Sequence, residues 1–231
     1  LPQNFRLGTF CLKAGAFRVV PFKFHQNLLS SFRVTIRNQD NPPIFLFHGL
    51  LGTKKHWESF GKTMMNMTKR ITVITVDMRN HGESPHTSSH TYLELASDIS
   101  HLISKLSLKT SHIIGHSMGG RTGMVLALTE VIIHELLLFQ HLKARSIARD
   151  HLASSGLVKP ESSGFILMNI GRVKSGSYGW ICNLDTLIKH FTDIATFPNN
   201  LVGKQYSGKT LFIGGDKSNY LPIIKERKKY L

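Results

Sequence analysis

Short apolar runs bounded by turn residues alternate along this chain with stretches whose apolar positions recur at helical spacing. Ile44-Phe45-Leu46-Phe47, Ile71-Thr72-Val73-Ile74-Thr75-Val76 and His112-Ile113-Ile114 are β-branched or aromatic and read as buried strands. Phe17 to Phe24 and Phe32 to Arg37 read as two earlier strands, and Lys209 to Ile213 as a late one. Between Thr91 and Leu106 the Leu, Ile and Ala positions fall on one helical face. Thr91 is the expected N-cap, with Glu94 completing a capping box. Thr122-Gly123-Met124-Val125-Leu126-Ala127-Leu128 predicts a second helix. Strand, loop, helix in repetition is the signature of an α/β fold: a mostly parallel sheet flanked by helices. No internal repeat and no long linker breaks it, so one domain is expected over residues 15–231.

Chemistry enters at the strand ends. Gly115-His116-Ser117-Met118-Gly119 follows a strand and precedes a helix, the context of a nucleophile elbow. A strained turn there lifts the Ser117 hydroxyl clear of the sheet at a helix N-terminus, and side chains at the flanking glycine positions would clash with neighbouring backbone. The second motif, His48-Gly49-Leu50-Leu51-Gly52, ends the strand Ile44 to Phe47. An oxyanion hole needs two backbone N–H groups; Met118, after the nucleophile, and Leu50 are the expected donors. The third is Asp77-Met78-Arg79-Asn80-His81-Gly82-Glu83-Ser84-Pro85, where Asp77, Arg79 and His81 are expected to fix loop geometry by hydrogen bonding rather than to react.

Composition narrows the class. A chain of 231 residues, 41% of them hydrophobic, has the size of one α/β domain. Two cysteines, Cys11 and Cys182, argue against an oxidising compartment and offer no metal site; neither metal nor cofactor is expected. The longest apolar run is too short to cross a bilayer. The formal charge of +15 raises nucleic acid or an anionic surface as partners. The only tight basic groups are Lys54-Lys55 and Lys225, Arg227, Lys228 and Lys229, so a solvated basic surface is expected and nucleic acid is not. Before Asp40 there is no acid, while Arg6, Lys13, Arg18, Lys23, Arg33 and Arg37 are interleaved with Phe and Leu. That makeup predicts a mitochondrial presequence remnant over residues 1–14 and a matrix protein.

Taken together, Pro42-Pro43 through Gly52, Asp77 through His86, and Gly115 through Gly120 resemble the family of alpha/beta-hydrolase domain-containing protein 11, mitochondrial serine hydrolases linked to lipid esters. Gly179 through Asp185 and Thr210 through Gly215 are similar to that family's later segments, so the likeness spans most of residues 15–222. It implies an α/β-hydrolase fold with a helical lid, assigned to residues 131–196, and hydrolysis of a lipid or acylglycerol ester through an acyl-enzyme on Ser117. It also implies a mitochondrial protein partner, since the family is associated with dehydrogenase assembly.

Departures from the family raise further expectations. The family's acid-bearing strand after the nucleophile helix is not apparent, so one internal strand is expected to be absent between Glu130 and Val131. Lys209 to Ile213 would then lie directly against the strand around Ile113. The Leu136-Leu137-Leu138-Phe139 run fits either an acyl lining or a packing face of the lid. The family's final strand, Gly-His loop and helix have no counterpart before Leu231, and the downstream histidines His134, His141, His151 and His190 all read as lid residues. Gly215-Asp216-Lys217-Ser218 puts Ser218 in the slot usual for the triad acid, leaving Asp185 or Asp216 as the acid. An incomplete chain, its first residue not the initiator, is the expected account. Such a chain would turn over esters only weakly, with about 10³–10⁴-fold over water remaining without a full triad. The alternative is a non-catalytic hydrolase-fold protein that binds an acyl ligand or a protein partner.

Overall fold

The computed structural model describes residues 18–22, 32–36, 41–68, 71–129, 133–139, 166, 168–172 and 178–214. Among them, seven strands form one sheet: β1 (Arg18–Phe22), β2 (Phe32–Ile36), β3 (Ile44–Phe47), β4 (Val73–Val76), β5 (Ser111–His116), β6 (Ile133–Phe139) and β9 (Lys209–Ile213), in the order β1-β2-β4-β3-β5-β6-β9. β1–β2 and β2–β4 pair antiparallel; every pair from β4 to β9 is parallel.

Both faces of the central strands are buried, which is why they read as unbroken apolar runs. Alternation splits their side chains between two cores. Phe45, Phe47, Ile74, Val76 and Ile113 join one cluster with α2 (Tyr92–Lys105) and α3 (Met118–Thr129). Leu46, Val73 and Ile114 join the other with Trp57 and with Met65 of α1 (Glu58–Thr68). The capping box of α2 forms as expected: Thr91 Oγ1 accepts from Glu94 N–H, and the Glu94 carboxylate accepts from Thr91 N–H at 2.9 Å.

The strand expected to be missing is present. β6 lies between β5 and β9, pairing parallel with both, so Lys209–Ile213 does not meet β5. Residues 133–139 of the stretch assigned to a lid (131–196) are thus a sheet strand, and His134 belongs to that strand rather than to a lid helix. A continuous apolar run carries no period, so it cannot tell helix from strand by itself. Three residues separate Thr129 from Ile133, an ordinary helix-to-strand connection. The segment beyond β6 is not all helical either. A hairpin of β7 (Ile170–Arg172) and β8 (Tyr178–Trp180) precedes the short helices α4 (Leu184–Lys189) and α5 (Phe191–Ala195). The presequence reading of residues 1–14 lies outside the described residues.

Candidate active site

Parallel strands present their C-terminal ends on one side of the sheet, and the three motifs converge there. Ser117 follows β5 with φ +51°, a left-handed conformation that costs a β-carbon-bearing residue energy and is retained where the surroundings enforce it. It is exposed, while Gly115, Met118, Gly119 and Gly120 around it are buried. The flanking glycines are required by close approach. A β-carbon at Gly119 would sit 2.5 Å from the carbonyl oxygens of both Phe47 and His48, and one at Gly115 would sit 2.6 Å from the Gly119 carbonyl.

The loop after β3 is seated against the elbow: a β-carbon at Gly49 would lie 3.3 Å from Ser117 Cβ. The Gly49 carbonyl accepts from Gly52 N–H at 2.9 Å and from His48 Nδ1–H at 2.8 Å. In a trans peptide the C=O and N–H point in opposite directions, so anchoring that carbonyl turns the Leu50 N–H the other way. The next amide is committed, since Leu51 N–H donates to His81 Nε2 at 3.2 Å. Leu51 has φ +58°, and its carbonyl accepts from Asn169 Nδ2; both of its backbone polar groups are thus held by side chains, which fixes the strained conformation. Leu50 N–H and Met118 N–H, the first of α3, have no hydrogen-bond partner among the described residues. These are the two amides the sequence assigns to an oxyanion hole.

Beneath them lies a row of three buried imidazoles. His48 and His81 have ring centroids 5.0 Å apart, and His81 and His90 5.6 Å. His48 Nε2 accepts from Met78 N–H at 2.9 Å, leaving the proton on Nδ1. His81 Nδ1–H donates to the Arg79 carbonyl at 2.9 Å. His90 Nδ1 accepts from Asn80, so its Nε2–H donates to Met118 Sδ at 3.4 Å. All three are neutral: burial pushes His81 down to about 4 and His90 down to about 3, and holds His48 well below its ordinary value. His81 thus fixes geometry, as the sequence implies, and so do its neighbours. Asp77 accepts from Lys54 Nζ at 2.6 Å and from the backbone N–H of Lys54 and Glu83, and Arg79 forms a fork with Asp98 at 2.7 and 2.8 Å.

The histidines make folding pH-dependent. Unfolded, each titrates near 6.5, so between that value and about 4 the unfolded chain binds the extra protons. Stability is fully present above pH 6.5 and is lost as pH falls toward 4, His81 alone contributing about 3 kcal/mol. Thermal melts at pH 7.5, 5 and 4 should show this fall, with a shallower slope for His81→Asn. Parallel pH profiles of the two proteins would contradict it.

Of the histidines after Ser117, His141 and His151 lie outside the described residues. His134 is five residues before Phe139, which pairs with His116, so it lies roughly 16 Å along the strand from the elbow, at the opposite end of the sheet. Both ring nitrogens of His190 face acceptors, Asp193 Oδ2 at 2.8 Å and the Ser88 carbonyl at 3.2 Å. Neither is placed as a base for Ser117. His134→Asn and His190→Asn should therefore leave Ser117 reactivity within about twofold, read as the rate of labelling by an active-site probe. Asp185 is exposed in the first turn of α4. β9 ends at Ile213, in register with Phe139 and through it with His116, so the chain leaves the sheet at the end where Ser117 sits. Asp216, three residues on, lies outside the described residues. No cluster of His, Cys, Asp or Glu suited to a metal occurs among the described residues.

No local signal in the sequence marks His90, Asn169 or Arg121. His90 ends a polar run, and each of the three acquires its role only from a segment distant in the chain.

Residues 42–134 match a family model described as alpha/beta hydrolase fold. The chain is 34% identical to the sn-1-specific diacylglycerol lipase ABHD11 of Danio rerio, over 79% of this chain and 65% of that protein. It is 35% identical to the protein of the same name from Mus musculus, over 78% of this chain and 67% of that one. The chain thus spans about two thirds of the length of these relatives. A marine microorganism esterase has the same fold, with a TM-score of 0.66 and 24% identity over 83% of this chain and 82% of that one.

Proposed function

This chain belongs to the alpha/beta-hydrolase fold family, in its ABHD11 branch, and on that premise we propose that it hydrolyses a lipid ester through an acyl-enzyme on Ser117. One observation carries the reading: an exposed serine in a strained elbow, flanked by the Leu50 and Met118 amides, which have no partner among the described residues. Ser117 Oγ attacks the acyl carbon. The carbonyl oxygen, now negative, takes hydrogen bonds from those amides at the N-terminus of α3, the alcohol departs, and water releases the acid. A diacylglycerol is the proposed substrate, because the relatives bear that name and because Leu50, Leu51 and Met118 join one apolar cluster with Cys182, Leu184, Leu187 and Leu201. The test is fatty-acid release from diacylglycerol labelled at sn-1 or at sn-2, in mixed micelles. Release above the Ser117→Ala background, favouring sn-1, is expected; equal rates for both proteins would overturn the proposal.

The placement of His134 and His190 favours a second reading, a hydrolase-fold protein that holds an acyl ligand or a protein partner without turnover. It predicts capture of diacylglycerol by the parent chain and Ser117→Ala alike, with no acid released. A mitochondrial matrix location and a mitochondrial protein partner belong to the same proposal, supported by the acid-free basic N-terminal stretch. No helix among the described residues is long and apolar enough to cross a membrane.

A further inference from the structure

Arg121 breaks a local rule. It stands in the first turn of α3, where the helix dipole disfavours a cation. Its Nη1 leaves that helix and donates to the carbonyls of Ile194 at 2.6 Å and Ala195 at 3.0 Å, at the C-terminal end of α5. There the orphan carbonyls of a helix end favour a cation. Tyr92 closes the same contact from α2. Its hydroxyl donates to the Ile194 carbonyl at 2.7 Å and accepts from Arg121 Nη1 at 3.4 Å. Burial pushes the Tyr92 phenol up, which keeps that donor protonated.

The position of this contact in the chain matters. Arg121 N–H donates to the Ser117 carbonyl at 3.0 Å, so one helical turn carries both the nucleophile and the clamp. The α4–α5 segment is also pinned by side-chain hydrogen bonds to the loop after β4: Asn183 to Asn80 and Thr87, Thr186 to Thr87, and His190 to Ser88. Those anchors hold its beginning and middle, whereas Arg121 and Tyr92 hold its end. Leu187 and Ile194 of the segment belong to the apolar cluster that includes Leu50 and Met118. Moving α5 away from α3 would therefore open the apolar wall beside the elbow without touching Ser117 itself.

We propose that Arg121, assisted by Tyr92, is a positioning residue that locks the α4–α5 segment against the nucleophile helix and so shapes the wall that receives a long acyl chain. The part concerning acyl chains rests on Ser117 being the nucleophile; the lock itself does not. Two measurements on the whole chain separate them. In Arg121→Gln, backbone amides of residues 184–202 should exchange about tenfold faster, while those of β5 and α2 keep their rates. Labelling by a hexadecyl fluorophosphonate should fall about tenfold relative to an ethyl fluorophosphonate. Arg121→Lys, which can still donate to both carbonyls, should restore most of each effect. Tyr92→Phe, which keeps the ring and its packing, should show a weaker form of both. Unchanged exchange over residues 184–202 would overturn the lock. Faster exchange with both probes losing equally would overturn its role in chain acceptance and point instead to an electrostatic effect of Arg121 on the helix terminus. If neither probe labels the parent chain, Ser117 fails as nucleophile, and the exchange data still decide the lock.

Discussion

Ser117→Ala should abolish covalent capture of this chain by a fluorophosphonate and bring ester hydrolysis down to the background that the oxyanion hole and binding alone supply. The expectation rests on placement rather than on residue type. Ser117 has left-handed backbone between a parallel strand and a helix, it is exposed among buried neighbours, and it is flanked by two amides with no partner among the described residues. Capture is a single covalent event in which the serine oxygen bonds phosphorus and fluoride leaves, so it reads the nucleophile even where turnover is slow. Mass spectrometry of the labelled chain should place the adduct on the peptide that contains Ser117. An adduct on another residue, or equal labelling of the alanine variant, would remove Ser117 from the mechanism.

Gly119→Ala should cost about 3 kcal/mol or more, among the larger effects of a single methyl group, because the added carbon meets backbone on two sides. The obstacles are the Phe47 and His48 carbonyl oxygens, at 2.5 Å. Neither belongs to a flexible side chain that could swing away. Relief requires α3 to lift from the end of β3, and that displacement carries Met118 N–H away from Leu50 N–H. For a chain of this size the melting temperature should fall by roughly 6–12 °C, and labelling at Ser117 should slow in whatever protein stays folded at lower temperature. A variant that melts within about 2 °C of the parent would show that the elbow tolerates the extra carbon and that the tight packing is not needed.

Much of the site was legible because each element answers to a local requirement. Gly-x-Ser-x-Gly between an apolar strand and a helix encodes a turn that few other residues could make, and Thr91 with Glu94 encodes a helix start. Both can be recognised without knowing what lies across the sheet. The state of residues 133–139 is hidden for the complementary reason. Leu136-Leu137-Leu138-Phe139 has neither helical period nor strand alternation, so its state depends on whether a place in the sheet stands open between β5 and β9. His134 moved with them, from a lid residue to the far end of a strand.

What the sequence by itself determined is the chemistry on offer: a serine at a strained elbow, two glycine-flanked loops able to present amides, and a parallel α/β scaffold to hold them at one edge. What only the tertiary structure decided is how these groups are held and oriented. The Leu50 amide takes its direction from a carbonyl anchored by His48. Leu51 keeps its strained backbone through His81 and Asn169, which come from 30 and 118 residues away in the chain. Arg121 finds its partners 73 and 74 residues on. Local sequence encodes backbone preference within a few residues. Hydrogen bonds between buried groups are set by which surfaces meet, and that is settled only when the sheet, its helices and the segment above them are packed together.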